Sequence, residues 1–259
     1  MHVIMAELER LGYRWAYRVV DARAFGLPQR RERVFIVASL DDDPRRVLFA
    51  DEAGVPGDVL RTNGVACGFY WTEGVRGLGW AVDAVPTLKG GSTVGVPSPP
   101  AILMPDGDIV TPSLQDAERL QGFPKDWTKN AESVGKRGMR WKLVGNAVNV
   151  PTVKWIAQRL ARPGEILDAR VERLASNGRW PRAAFNVGTG RYSIDMSAWP
   201  KHKPRQSLIE FVGDRGTPLS RRATAGFLSR TQRASLRFPE GFTDAVEAHL
   251  RRMEAAEAP

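Results

Sequence analysis

The stretch Gly26-Leu27-Pro28-Gln29-Arg30-Arg31-Glu32-Arg33-Val34-Phe35-Ile36-Val37 determines how this part of the sequence folds. Its first residues predict a loop, because Pro28 lacks a backbone donor and restricts the residue before it. The apolar run that follows predicts a strand over residues 34–38. Arg31 and Arg33 lie two positions apart, so on extended backbone their side chains are expected on the same side. The stretch therefore predicts an arginine-rich loop that leads into a strand.

A helical pattern and an extended pattern precede this stretch. Apolar residues recur at helical spacing over residues 2–11 and Gly12 follows them, which predicts an amphipathic helix with a glycine stop. Residues 15–20 predict a strand. The order of helix, strand, arginine-rich loop and strand is typical of the edge of an α/β sheet.

The composition changes after this segment. Between residues 41 and 109, glycine, proline, asparagine and aspartate separate short runs of β-prone residues. The dipeptide Asn63-Gly64 between apolar residues predicts a tight turn. These residues are therefore expected to form a small, loop-rich β region.

Helices are predicted again in the second half of the chain. Residues 113–121 carry an N-terminal capping signature, with Ser113 as the N-cap and Asp116 three positions later. Thr152–Leu160 predicts a further helix, and an amphipathic helix is expected near Ala245–Met253. We find no internal repeat and no low-complexity tract in the sequence.

Composition and charge narrow the class of protein. The 259 residues are 42% hydrophobic and carry a net charge of +9, which fits a folded protein and favours a polyanionic partner such as nucleic acid. No apolar run reaches the roughly 18 residues of a membrane span, and no export leader is recognisable. The single cysteine excludes an internal disulfide and a cysteine-cluster zinc site. A cytoplasmic location without membrane contact is the expectation.

Three stretches together carry a resemblance that none of them carries alone. They are Gly26–Val37, Arg119–Pro124 and Gly145–Pro151. In this order they resemble the last three sequence blocks of the DNA (cytosine-5) methyltransferases, and Thr152–Leu160 resembles the closing helix of that family. The resemblance implies an α/β fold: the edge portion of a Rossmann-like methyltransferase sheet with a small β-rich target-recognition domain. A C-terminal α+β extension is expected beyond it.

The resemblance also implies a division into domains. Residues 1–40 would be the C-terminal part of the catalytic domain, and residues 41–125 the target-recognition region. Residues 126–162 would be a closing segment that returns to the catalytic domain. Residues 163–259 lie outside the family pattern. They are expected either to cover the recognition region or to add an accessory DNA contact.

Gln29, Arg31 and Arg33 are the candidate catalytic residues. In the family, the Gln-x-Arg-x-Arg run lines the catalytic pocket, where the arginines hold the carbonyl oxygen of the flipped cytosine and steady the active-site loop. Arginine suits this task because it stays charged and presents a rigid fork of donors. Without the resemblance, the same arginines would fit a solvated edge strand with protective charges.

The candidate DNA-binding residues lie between the first and second blocks. Relatives carry a Thr-Leu dipeptide in their target-recognition region, and Pro86-Thr87-Leu88-Lys89-Gly90-Gly91 falls at the corresponding place. A hydroxyl and an ammonium group beside two glycines allow a close approach to phosphate. The candidates are Thr87, Leu88, Lys89, Gly90 and Gly91; an ordinary glycine turn is the alternative.

The third block implies a contact with S-adenosyl-L-methionine. Gly145 and Asn146 are expected to open a turn ahead of the closing helix. In the family, this turn closes over the cofactor pocket, which makes Asn146, Ala147 and Val148 the candidate cofactor-binding residues. Arg119 in the second block is expected to organise the structure internally rather than to act in catalysis.

The chemical part of the family pattern is not found. The cofactor-binding glycine loop, the Pro-Cys nucleophile and the Glu-Asn-Val block of the family all precede the first matching stretch. Cys67 stands in a different context, without a neighbouring histidine or carboxylate, and is expected to be a small buried residue. The three histidines are dispersed, so no metal site is expected.

These observations leave several functional hypotheses. The first is a DNA-recognition subunit of a restriction–modification methyltransferase. It would act on double-stranded DNA with a complementary chain that supplies the nucleophile, the glutamate and most of the cofactor site. The alternatives are a truncated, inactive methyltransferase fragment, a non-catalytic DNA-binding regulator and an unrelated basic protein. In the first case the apolar faces of the helix at 2–11 and of the closing helix are expected to be partly exposed.

Overall fold

The computed structural model describes residues 1–57, 64–91, 98–135, 138–175, 178–212 and 216–257. The helices are α1 (His2–Arg10), α2 (Arg45–Leu48), α3 (Leu114–Leu120), α4 (Met139–Asn146), α5 (Val150–Ala161), α6 (Leu208–Phe211), α7 (Arg221–Thr231) and α8 (Phe242–Glu257). The strands are β1 (Arg14–Asp21), β2 (Gln29–Arg30), β3 (Glu32–Ser39), β4 (Cys67–Phe69), β5 (Trp80–Val82), β6 (Val85–Pro86), β7 (Ala101–Leu103), β8 (Ile109–Thr111), β9 (Val171–Arg173), β10 (Ala183–Asn186), β11 (Tyr192–Ile194) and β12 (Thr217–Pro218).

The chain forms two compact units that are interleaved in sequence. The first unit consists of Met1–Gly26, Arg31–Pro56 and Val150–Pro204. The second unit consists of Leu27–Arg30, Gly57–Asn149 and Arg205–Pro259. The mixed α/β class is confirmed.

The first unit is built on an antiparallel sheet with the strand order β3-β1-β10-β11-β9. β1 and β3 pair along their whole length, from Arg14 opposite Ser39 to Asp21 opposite Glu32. Apolar side chains of α1 and β1 and the indole ring of Trp180 form one core of this unit. β10, from the residues beyond the closing helix, pairs with β1. A Rossmann-like origin of this sheet stays a prediction.

A buried arginine stabilises the first unit. The Arg18 guanidinium donates to the carbonyl oxygens of Ser197, Leu48 and Asp51 at 2.9, 3.0 and 2.6 Å and to the Glu52 carboxylate at 2.6 Å. Burial lowers the pKa of Arg18 to about 10, although the carboxylates of Glu52 and Asp51 oppose this shift. The arginine stays charged at neutral pH, and its partners replace the lost water.

A buried carboxylate joins α5 to two other parts of the same unit. Asp51 accepts hydrogen bonds from the Trp155 indole at 2.8 Å and from the Arg159 guanidinium at 2.7 and 2.6 Å. The ammonium group of Lys201 also binds this carboxylate. Burial opposes ionisation of Asp51, but these donors outweigh it and hold the pKa of the carboxyl well below its ordinary value of 3.8.

The second unit contains a separate antiparallel sheet with the order β12-β8-β7-β4-β5, and β2 pairs in parallel with β6. α7 and α8 cover one face of this sheet. Phe69 of β4 stacks on Phe227 of α7 with ring centroids 4.6 Å apart and meets Phe242 of α8 edge-on at 5.1 Å. The residues after Arg205 therefore contribute to the core of this unit.

Most predicted elements are confirmed within a few residues. α1, β1, β3, α5 and α8 coincide with predicted helices and strands. α3 begins at Leu114 with the predicted capping box, in which Ser113 and Asp116 exchange hydrogen bonds. The predicted Asn63-Gly64 turn lies partly outside the described residues.

One prediction needs correction. Gly145 and Asn146 do not open a turn; they are the last residues of α4, a helix that the sequence reading missed, and the helical backbone ends at Ala147. The compact units have boundaries other than residues 40, 125 and 162, and the functional division at those residues stays a prediction. The residues after 163 do not form a segment of their own, because β9, β10 and β11 complete the first sheet whereas β12, α7 and α8 complete the second.

Candidate functional site

Gln29 is fully buried in the second unit, and its side-chain amide binds other parts of that unit. Its Nε2 donates to the carbonyl oxygen of Leu120 at 2.7 Å and to Oε1 of Gln121 at 3.3 Å. Its Oε1 accepts the backbone N–H of Leu88 at 3.1 Å. The first block is thereby joined to the second block and to the Thr-Leu dipeptide.

Gln121 extends this connection to the third block. It is also fully buried, and its Nε2 donates to the carbonyl oxygen of Val144 in α4 at 2.9 Å. No sequence pattern marked Gln121 as a candidate site residue. The sequence feature that could have indicated its role was its position inside the second block, two residues after Arg119. The two glutamines connect segments that are far apart in the chain.

Arg31 and Arg33 belong to the first unit and have different environments. Arg31 is 5% exposed; its backbone N–H donates to Asp21 Oδ1 at 3.3 Å, and its carbonyl oxygen accepts the Ala22 N–H at 3.1 Å. Arg33 is exposed on β3 and donates to the carbonyl oxygen of Glu32 at 2.8 Å. Arg31 stands between β2 and β3, so the two arginines do not lie on one continuous strand. The expectation that both side chains lie on the same side stays a prediction.

The Thr-Leu dipeptide is held inside the second unit. The Thr87 hydroxyl donates to the carbonyl oxygen of Arg30 at 3.0 Å, and the Thr87 carbonyl accepts the Tyr70 hydroxyl at 2.7 Å. Leu88 is buried in the core that also contains Leu120. These contacts fix the backbone from which Lys89 extends.

Lys89 carries the charge of the candidate DNA-binding segment. Its Nζ lies 2.9 Å from Glu73 Oε1 and 4.0 Å from the centre of the Tyr70 ring. The ammonium group is partly exposed, so a phosphate can reach it by competing with Glu73. Gly91 adopts a φ of +121°, a conformation that favours glycine.

The candidate DNA-binding segment lies directly against the end of α4. A Cβ atom on Gly145 would stand 2.1 Å from the carbonyl carbon of Lys89 and 2.2 Å from the nitrogen of Gly90. A Cβ atom on Gly90 would stand 2.7 Å from Asn146 Oδ1. The contact at Gly145 leaves no room for a side chain, so two backbones meet there, whereas at Gly90 the Asn146 side chain would have to move.

The candidate cofactor-binding residues follow this contact. Asn146 and Val148 are exposed and Ala147 is half-buried. Together they offer one amide and two small apolar side chains, which fits the edge of a site for S-adenosylmethionine and not its cradle. Within the described part of the chain, no three His, Cys, Asp or Glu side chains are grouped to hold a metal ion.

Cys67 is buried on β4, as predicted. Burial raises the pKa of its thiol to about 12, although a backbone hydrogen bond from Ala81 and the charge of Arg30 oppose the shift. The thiol therefore stays protonated at neutral pH and is a poor nucleophile. His249 is buried as well: Nδ1 accepts the Ile109 N–H at 3.3 Å and Nε2 lies 3.0 Å from the Leu219 carbonyl oxygen. This histidine has a structural role.

Arg119 makes internal contacts, which agrees with the role expected for it. Its guanidinium donates to the Phe211 carbonyl oxygen at 2.7 Å and to Asp116 at 3.2 Å. It also lies 4.3 Å from the centre of the Phe211 ring. The residue thus joins α3 to α6 within the second unit.

Fold and site define a mixed α/β protein of two compact units, each with its own antiparallel sheet. The sequence profile described as C-5 cytosine-specific DNA methylase matches residues 1–56 and 111–162. Over these two stretches the chain is similar to the C-5 cytosine-specific DNA methylases. The residues between them, which include β4 to β7, are not matched.

Several curated proteins resemble the chain. The Type II methyltransferase M2.BsuMI of Bacillus subtilis (strain 168) is 46% identical over 259 residues, which cover 95% of this chain and 66% of that protein. M.AplI of Arthrospira platensis is 30% identical over 60% of this chain and 50% of its own length. M.MspI of Moraxella sp is 26% identical, covering 62% of this chain and 41% of its own length. The chain therefore spans less than two thirds of these relatives. No solved structure matches it significantly.

Proposed function

We propose that this chain is the DNA-recognition part of a type II cytosine-5 DNA methyltransferase. A complementary chain would supply the nucleophilic cysteine, the glutamate and most of the cofactor site. The proposal rests on one observation: the gap in the family profile corresponds to a particular part of the fold. The residues left unmatched between 56 and 111 supply most of the sheet of the second unit, as expected for a recognition region inserted between common blocks.

The chemistry of the side chains supports this role. Arg33 is exposed and offers a guanidinium to the carbonyl oxygen of a flipped cytosine, while the buried Arg31 would hold the neighbouring backbone. Lys89 would contact the phosphate backbone, helped by the net charge of +9. S-adenosylmethionine would supply the methyl group, and Asn146, Ala147 and Val148 would contact one edge of it.

Cys67 does not fit the role of nucleophile, because its thiol stays protonated at neutral pH. We therefore expect no methyl transfer by the chain alone. The test is incubation with labelled S-adenosylmethionine and mixed-sequence duplex DNA. The experiment is repeated with the product of a neighbouring reading frame that carries the Pro-Cys and Glu-Asn-Val blocks.

The proposal expects duplex binding by the chain alone and methyl transfer only in the mixture. Methyl transfer by the chain alone that is lost in Cys67→Ser would overturn the assignment of Cys67. Duplex binding without methyl transfer in any mixture would favour a regulator. Loss of both activities in a folded protein would favour an inactive fragment.

Arg33 is tested in the same mixture. Arg33→Ala should lower turnover far more than duplex affinity, because the arginine acts on the flipped base and its transition state. Arg162→Ala, which removes an exposed charge from the same unit, serves as the control. An equal loss of duplex affinity and turnover in Arg33→Ala would make Arg33 a phosphate contact instead.

A further inference from the structure

We infer that Gln121 and Gly145 are positioning residues that hold the segment Thr87–Gly91 against the end of α4. The recognition segment and residues 146–148, at and just beyond the end of α4, would then change position together. The DNA and cofactor roles of these two segments rest on the proposed function. The positioning itself rests on contacts within the second unit.

The first support is the direction of the buried hydrogen bonds. The Leu88 N–H donates to Gln29, Gln29 donates to Gln121, and Gln121 donates to the Val144 carbonyl oxygen. The side-chain oxygen of each glutamine accepts one hydrogen bond of this series, and its side-chain nitrogen donates the next. Because both amides are fully buried, water cannot replace a lost partner, and a displaced amide leaves a buried polar group unsatisfied.

The second support is the close contact at Gly145. This residue lies in the last turn of α4, where alanine is intrinsically more favourable than glycine. The nearby backbone of Lys89 and Gly90 excludes a Cβ atom, with distances of 2.1 and 2.2 Å. Glycine is therefore required at position 145 because the backbone of Lys89 and Gly90 lies so close, and not because of the helical conformation.

Together these contacts fix the recognition segment at two points. Gln29 and Gln121 tie Leu88 to the body of α4, and Gly145 lets Lys89 and Gly90 rest on its last turn. Asn146, the first candidate cofactor contact, directly follows Gly145 and lies beside Gly90. A ligand that moves either segment must therefore shift the other, and the coupling acts equally in both directions.

Gly145→Ala tests the close contact. Amide hydrogen exchange of the free chain should become at least about tenfold faster at residues 87–91, and duplex affinity should fall by a similar factor of about ten. Gly226→Ala is the matched control, because Gly226 is also a helical glycine of the second unit but its Cβ would meet only the Arg230 side chain, at 3.5 Å. The control should match the wild-type exchange and affinity.

Gln121→Met tests the amide connection and keeps the inference falsifiable if Gly145→Ala fails to fold. It preserves the approximate volume and removes both hydrogen bonds of the side chain. Exchange at Leu88 should become faster while the secondary structure measured by circular dichroism is unchanged. Wild-type exchange at residues 87–91 in either folded variant would overturn the inference.

Coupling is tested by adding mixed-sequence duplex DNA to the wild-type chain. Residues 87–91 and residues 146–148 should both gain protection from exchange. Protection at residues 87–91 alone would overturn the coupling. A wild-type chain that does not bind duplex DNA would overturn the proposed function instead, and exchange in the free variants would still decide the positioning roles.

Discussion

Asp51 shows at the residue scale how a buried charge makes stability depend on pH. Its pKa lies well below the ordinary value of 3.8 because Arg159, Lys201 and Trp155 outweigh the effect of burial. A depressed carboxyl pKa contributes stability above the ordinary value, and this contribution is lost as the pH falls towards the lower pKa of the folded state. The contribution of Asp51 is therefore fully present at neutral pH.

We predict that Asp51→Asn lowers the free energy of unfolding by about 1 to 3 kcal/mol at pH 7. The difference from the wild type should shrink below about pH 4, where the unfolded wild-type chain takes up the proton. Denaturant unfolding at pH 7 and at pH 3 measures both quantities. Asp42→Asn, at an exposed position nearby, should leave the free energy of unfolding unchanged at both pH values. A difference that stays constant down to pH 3 would contradict this account.

Residue contacts were predictable only where short-range patterns determine them. The burial of Cys67 follows from its apolar surroundings, and the Ser113–Asp116 capping box follows from spacing. The partners of Gln29 could not be predicted, because its hydrogen bonds reach residues that are distant in sequence. The break at Arg31 was missed because a period of two describes a strand only while the strand continues.

At the scale of elements, β10 shows what the residues after the closing helix contribute. Ala184 is fully buried in the cluster formed by Trp15 and Tyr17. A carboxylate there would lose its water without gaining a partner. We predict that Ala184→Asp lowers the free energy of unfolding by about 4 kcal/mol or more.

Val171→Asp is the matched control for this prediction. It places the same charge on β9 of the same sheet, where the side chain is exposed. It should change the free energy of unfolding by about 0.5 kcal/mol or less. Thermal unfolding of both variants compares them directly. Equal effects would show that β10 does not stabilise the first unit.

The helices that the sequence reading missed have weak sequence signals. α4 ends in Gly145-Asn146, a dipeptide that is typical of turns and hides the helix before it. α7 begins with two arginines and carries few apolar residues, although Ser220 caps its first turn. Both helices pack against residues that are distant in the chain, so tertiary contacts compensate for weak local preference.

At the scale of the whole molecule, the first unit carries an open strand edge. Among the described strands, β3 pairs only with β1, so the other edge of β3 has no strand beside it. Val34 and Ile36 of β3 are 46% and 38% exposed. Ile4 of α1 and Val153 of α5 are exposed too, as the hypothesis of a missing partner predicts. An unpaired strand edge with apolar side chains favours association with another chain.

We predict that the purified chain self-associates at high concentration. Val34→Lys combined with Ile36→Lys should reduce association, because charge on an edge strand opposes pairing. Val134→Lys is the control, since Val134 is 89% exposed but lies outside any strand. Sedimentation velocity measures the outcome. A wild-type chain that stays monomeric and unfolds cooperatively would contradict the prediction.

The interleaving of the two units was beyond sequence reasoning. The sequence patterns predicted consecutive domains, whereas each compact unit contains three separate ranges of the chain. Local periodicity identifies helices and strands but does not say which distant segment completes a sheet. That information lies in side-chain complementarity such as the packing of Phe69 against Phe227.

This packing has a consequence for biosynthesis. β4 leaves the ribosome long before α7 and α8 have been made, so the apolar face around Phe69 stays uncovered through most of translation. Folding of this unit must wait for contacts between distant segments. This requirement slows folding and prolongs the exposure of the apolar surface. The nascent polypeptide is therefore a natural client for a chaperone that shields apolar strands until synthesis is complete.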